Sequence, residues 1–156
     1  MPRLVLVLLA FSTAVFAQDT SMQTSTVVLS VAQLQTLRDT PVILVPAPGP
    51  GLAINPRSAT VQYTFGTEHY AGGHSRFIIT LGSYDSDSAI SPFDAILTSG
   101  FTDQDSNHTV TLQANPIDAS ISVNNLDLEI VNFGPPLIDG DGTVAITINY
   151  SIVSTR

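Results

Sequence analysis

The chain has 156 residues, 44% of them hydrophobic, enough for one domain with a real core and too few for two comfortable ones. Lys is absent, and five Arg stand against 13 acids for a net charge of −8, a field that repels phosphate backbones and argues against nucleic-acid binding. With no Cys, disulfides and thiolate-bound zinc are excluded and the fold rests on its apolar core.

The first element in chain order is a signal peptide. Arg3 supplies a positive start, residues 4–11 form an apolar stretch, and Val15-Phe16-Ala17 places short side chains at the two positions a signal peptidase reads, so cleavage is expected after Ala17. The stretch is broken at Ser12 and Thr13 and falls short of the roughly 20 residues a span needs. The mature chain, with four Arg and 13 acids, is therefore expected to be secreted or extracellular, with no membrane segment left. Residues 18–25 lack apolar periodicity and read as a flexible arm, and the domain proper is expected over residues 26–156.

Ser30 and Gln33 make a capping-box pattern that predicts a short helix. Val31, Leu34 and Leu37 share its apolar face, and Pro41 ends it after about two turns. Residues 42–45 are an unbroken apolar run that reads as a strand buried on both faces, and residues 46–51, Pro-Ala-Pro-Gly-Pro-Gly, form a rigid corner. Ala59, Val61, Tyr63 and Phe65 then alternate with polar residues and predict a strand with one face in the core and one in solvent. The same pattern predicts strands at Phe77, Ile79 and Leu81; at Val110 and Leu112; at Ile121 and Val123; and at Leu126, Leu128 and Ile130. It is longest at the end, where Val144, Ile146, Ile148, Tyr150 and Ile152 alternate without a break. Strands separated by Gly, Pro, Asp and Asn clusters, one short N-terminal helix and no βαβ rhythm predict an all-β fold, a single β-sandwich of jelly-roll type.

Residues 30–37 followed by Thr-Pro-Val-Ile-Leu-Val-Pro-Ala-Pro-Gly-Pro-Gly at 40–51 resemble a family of small tailed-phage structural proteins. The likeness extends to Tyr63 and the Gly-Thr-x-x-Tyr turn ending at Tyr70, to residues 77–82, to Gly100-Phe101 and to the closing Gly-Asp-Gly-Thr segment and its strand at 140–150. The resemblance implies a virion-associated, jelly-roll-like module without enzymatic activity. The signal peptide departs from that pattern and points to the same module used outside a cell.

The chain offers no catalytic constellation in its sequence: the Gly-x-Ser-x-Gly elbow of a serine hydrolase is absent, and Gly49 and Gly51 lack the Lys and the helix of a phosphate loop. With no Trp and four Tyr, a carbohydrate-cleaving cleft is poorly supplied. Glu68, His69 and His74 flank a Gly-Gly turn and would suit zinc or copper if they converged, but read more simply as exposed loop residues. Three acidic loops offer oxygen ligands for calcium, giving Asp85 and Asp87 near Asp94, Asp103 and Asp105, and Asp139 and Asp141 as candidates; calcium is the one cofactor the sequence suggests. The middle loop fails as an EF-hand, with His108 where Gly is required and Ala114 where Glu is required. The simpler reading is that Asp favours turns. Asn107 and Asn149 begin glycosylation sequons, and Tyr70, Tyr84 and Phe93 are the loop aromatics available to a partner.

Two functions fit these features. One is a structural subunit that self-assembles, or joins other structural proteins, in an extracellular or virion-type assembly. The alternative is a secreted binding module, lectin-like or adhesive, that holds a glycan with its Asp-rich loops.

Overall fold

A computed structural model describes residues 21–71, 75–83, 90–117 and 123–155. The expected signal peptide at residues 1–17, His74, Tyr84, Asp85, Asp87 and the Ile121 strand position lie outside the described residues. Among those described, the chain is almost entirely antiparallel β-structure. One four-stranded sheet runs in the order β1 (Gln23–Leu29), β10 (Thr143–Ser154), β3 (Leu52–Thr64), β7 (His108–Gln113). A second runs β2 (Val42–Val45), β8 (Leu128–Phe133), β5 (Arg76–Leu81), β6 (Ile96–Leu97), and a small sheet pairs β4 (Tyr70–Ala71) with β9 (Ile138–Asp139). The chain crosses between the two large sheets from β1 to β2, β2 to β3 and β3 to β5, makes a β5–β6 hairpin, and crosses again to β7, β8 and β10.

One core lies between the large sheets, with Ala59, Val61, Tyr63, Val144, Ile146 and Ile148 from the first facing Phe77, Ile79, Leu81, Leu128 and Ile130 from the second. Helix α1 (Val31–Thr36), the one helix among the described residues, follows β1 directly, with Ser30 as N-cap and the reciprocal Gln33 contact in place. Leu34 and Leu37 close the core beside it.

The strand alternation in β3 is interrupted once, for a physical reason. Ser58 pairs with Asn149 but Pro56 pairs with Tyr150, so Arg57 is an extra residue on β3. That bulge lets Ile54 and Pro56 face inward on one side of it and Ala59, Val61 and Tyr63 on the other, against an unbroken even-numbered series on β10. A bulge is also where a proline inside a sheet is tolerated.

Several sequence expectations are corrected. β1 begins at Gln23, so residues 23–25 of the expected flexible arm, and a domain boundary at Thr26, give way to a strand paired with β10. β2 is an edge strand, and Ile43 is 52% exposed, so the run 42–45 is not buried on both faces. Two neighbouring strands are buried on both faces: β5, where Ile78 and Thr80 are covered as well as Phe77, Ile79 and Leu81, and β8, where residues 128–132 are all buried. Val123 lies in no strand; it precedes the turn at Asn124 and Asn125.

The outer face of the first sheet is built from the residues that alternate with this core. Its middle row, read across all four strands, is Thr26, Thr147, Thr60 and Thr111. The row on one side is Thr24, Asn149, Ser58 and Gln113, and on the other Val28, Ala145, Gln62 and Thr109. All of these positions reach solvent.

Candidate functional site

Glu68, His69, Asp103, Asp105, Asn107, Asp139 and Asp141 gather at one end of the sandwich, where the turn after β3, the loop leading into β7 and the β9–β10 turn meet, whereas Asp94 and Asn149 lie away from it. Asp141 stands at their centre. Its carboxylate accepts hydrogen bonds from the backbone N–H of Thr67 (2.7 Å) and of Glu68 (2.9 Å) and from the Thr67 hydroxyl (2.7 Å). The Glu68 N–H, with the Thr67 hydroxyl and N–H, favours the charged form and holds this carboxyl below the ordinary carboxylate range. The Gly66-Thr67 and Gly140-Asp141-Gly142 motifs, separated by more than 70 residues, thus form a clasp.

The glycines of the clasp are required by close approach. At Gly140, with φ of +69°, an added Cβ would lie 2.6 Å from the Tyr70 ring; at Gly142 it would collide with the Tyr63 ring and lie 2.7 Å from the Thr64 carbonyl. Behind them is an aromatic cluster, with ring centroids 6.3 Å apart for Tyr63–Tyr70, 6.1 Å for Tyr63–Phe101 and 6.5 Å for the edge-on Phe77–Phe101 pair. The Tyr70 hydroxyl donates to the Gly142 carbonyl at 2.7 Å. Burial, and then the neighbouring Tyr63 and Asp141, push its pKa up to about 12. Tyr63 is raised by the same burial and by Asp141 and Asp105, and its buried hydroxyl has no hydrogen-bond partner among the described residues.

The adjoining acids are engaged in the same way. Asp105 meets the His69 Nδ1 at 2.8 Å. Asp103 accepts the Gly100 N–H at 2.6 Å and the Gln104 amide at 2.8 Å. Burial alone would raise the Asp103 pKa, but the bonds from Gln104 and Gly100 outweigh it and hold the carboxyl below the ordinary range. Asn107 accepts the Phe65 N–H through its side-chain oxygen, and Asp94 accepts from the Asn115 amide. Asp139 sits at φ of +55° with its carbonyl taking the Gln35 amide. The opposite end is tied likewise: Asn125 and Asn124 accept the N–H groups of Gly49 and Gly51, fixing the Pro-Gly corner.

This arrangement holds loops in place. Ser106 meets His108 at 3.2 Å while the acid Asp105 meets His69, so hydroxyl and carboxylate are held by different imidazoles and no Ser–His–Asp relay is formed by them. Among the described residues no three His, Asp or Glu side chains converge as a metal site; Asp103, Asp105, Asp139 and Asp141 do not come together as a calcium cage. Tyr70 and Phe93, expected to be available to a partner, are buried in the core. Of the sequon residues, Asn107 is exposed at the start of β7, whereas Asn149 lies mid-sheet and donates to Ser58.

What residue-by-residue reading missed is the pairing itself. Asp141 signalled a turn, and nothing in its local sequence identified the loop whose amides it takes. The one available signal was the presence of a Gly at each close contact.

No family model matches the chain, and no curated protein does. Two solved virus-capsid structures show a partial likeness. A chain of the cyanophage Pam1 capsid asymmetric unit aligns with a TM-score of 0.47 and 11% identity, over 93% of this chain and 93% of that one. A chain of the expanded particle of equine rhinitis A virus, a picornavirus, aligns with a TM-score of 0.29 and 9% identity, over 100% of this chain and 87% of that one.

Proposed function

We infer that this chain is a non-enzymatic structural subunit of an extracellular or virion-type assembly, built on a jelly roll. The strand order supports the fold: the eight strands of the two large sheets alternate between sheets except for one hairpin, the connectivity of two interlocked Greek keys. The function is carried by one observation. Of the described acids proposed as ligands, Asp103, Asp105 and Asp141 are engaged in holding loops, Asp141 most completely, so this end of the sandwich is braced rather than open. The same observation weighs against a glycan-binding module that uses these loops. The resemblance of residues 30–51 and 140–150 to tailed-phage structural proteins points the same way.

The test is the particle mass of the purified chain by light scattering behind size exclusion, with negative-stain images of the same fractions. Regular particles or filaments that grow with concentration are the expected result. A monomer at every concentration, stabilised by added calcium or sugar, would replace the subunit with the secreted binding module.

A further inference from the structure

We propose that Asn107 carries an N-linked glycan and that Asn149, which begins the same three-residue pattern, does not. The proposal rests on the extracellular part of the reading above, through the leader expected at residues 1–17, and is independent of whether the chain assembles.

An acceptor must offer the transferring enzyme two groups, the Asn amide nitrogen and the hydroxyl two residues further on. Asn107 lies one residue before β7 and is exposed, and Thr109 is exposed on the outer face of the sheet. β7 is the end strand of its sheet and pairs with β3 on one side, so among the described residues no strand blocks approach from the other. At the second pattern neither group is presented in this way. Asn149 is half-buried in the middle of β10, between β1 and β3, and Ser151, which carries the hydroxyl, is only 2% exposed.

The two amides differ in the same sense. The backbone N–H of Phe65 donates to the Asn107 side-chain oxygen at 2.9 Å. A fixed donor is met only by the carbonyl end of an amide, so the nitrogen is turned the other way, and among the described residues it has no partner. Glycosylation replaces one N–H of this amide and keeps its carbonyl, so the bond to Phe65 survives. In Asn149 both ends are engaged: the oxygen accepts from Thr24 at 2.9 Å and the nitrogen donates to Ser58 at 3.0 Å. A sugar on that nitrogen would press on the side chains at either hand.

The donor is an oligosaccharide carried on a lipid diphosphate. The Asn107 nitrogen attacks the anomeric carbon of its first sugar, forming a C–N bond. The bond from that carbon to the diphosphate oxygen breaks, the lipid diphosphate leaves with the electron pair, and the amide gives one proton to a base of the transferase. Because the loop that carries Asn107 meets the Asp141 clasp, a bulky hydrated sugar there would keep this end of the sandwich out of any contact between copies.

Expression of the full chain, with its own leader, in a eukaryotic cell decides this, with intact mass and peptide mapping before and after a glycan-releasing amidase. One glycan per chain, on Asn107, is expected, with Asn149 unmodified. Thr109→Val removes the hydroxyl but leaves Asn107 and its bond to Phe65, and is expected to abolish the glycan without preventing secretion. Thr109→Ser is expected to keep the glycan, and Ser151→Ala to change nothing. A secreted chain without sugar on Asn107, or with sugar on Asn149, would overturn the assignment and leave the leader standing. A chain found only in the cytosol would overturn the leader, and the modification with it.

Discussion

Two tyrosines side by side in the core show how much a hydroxyl depends on its partner. The Tyr70 hydroxyl is bonded to Gly142, and the Tyr63 hydroxyl is buried with no partner among the described residues. Replacing Tyr70 by Phe is expected to cost about 1–3 kcal/mol by leaving a carbonyl unsatisfied, while Tyr63→Phe is expected to be neutral or stabilising, because it removes an unpaired polar group and keeps the ring. Urea unfolding of the two variants compares them directly. Asp141 makes a different prediction, in pH. Its folded pKa lies below the unfolded value near 4. Its contribution is therefore present above the unfolded pKa and lost as pH falls through the lowered folded one. Asp141→Asn is expected to lower the melting temperature at neutral pH, and the gap from wild type is expected to close in acid; a gap independent of pH would show that the carboxylate charge plays no part.

At the level of elements, a strand was legible where its pattern and its environment agreed. β10 alternates over its length because a neighbour pairs on each side and core lies under one face only, and the capping box at Ser30 and Gln33 is a local feature that local sequence specifies. The start of β1 carries no apolar pattern because its first residues are polar on both faces: Gln23 and Ser25 face inward at the rim, where partial burial suffices. β2 and β5 depart from the expectation because apolar content reports how greasy a strand is and not what lies over each of its faces. Tyr70 and Phe93 were misplaced for the same reason, since loop aromatics can fold back as core. The contrast is measurable. Ile43→Thr on the exposed side of β2 is expected to change stability by less than about 0.5 kcal/mol, whereas Ile146→Ala in β10 is expected to cost about 2–5 kcal/mol through the cavity it leaves. Gly142→Ala, which forces a methyl into Tyr63 and the Thr64 carbonyl, is expected to cost about 1–3 kcal/mol.

Over the whole molecule, charge is kept out of the sheets. The eight strands of the two large sheets carry Arg57, Arg76 and Glu129 as their charged residues; Arg57 is the bulge residue, and the Arg76 guanidinium lies 4.6 Å from the centre of the Phe133 ring. Asp103, Asp105 and Asp141 lie in the connections, where they brace turns.

The position of β10 in this topology has a kinetic meaning. It lies between β1 and β3 in space yet follows every other strand in the chain, so Gln23 waits more than 120 residues for Tyr150, its partner in the sheet. Until β10 is made, β1 has no ladder to join and the inner edge of β3 is open. Folding is therefore dominated by long-range pairing and is expected to be slow for a domain of this size. A ribosome that has not yet passed Thr143 holds a chain whose largest sheet cannot close, and the nascent protein must be kept from pairing with the wrong partner until its last strand arrives.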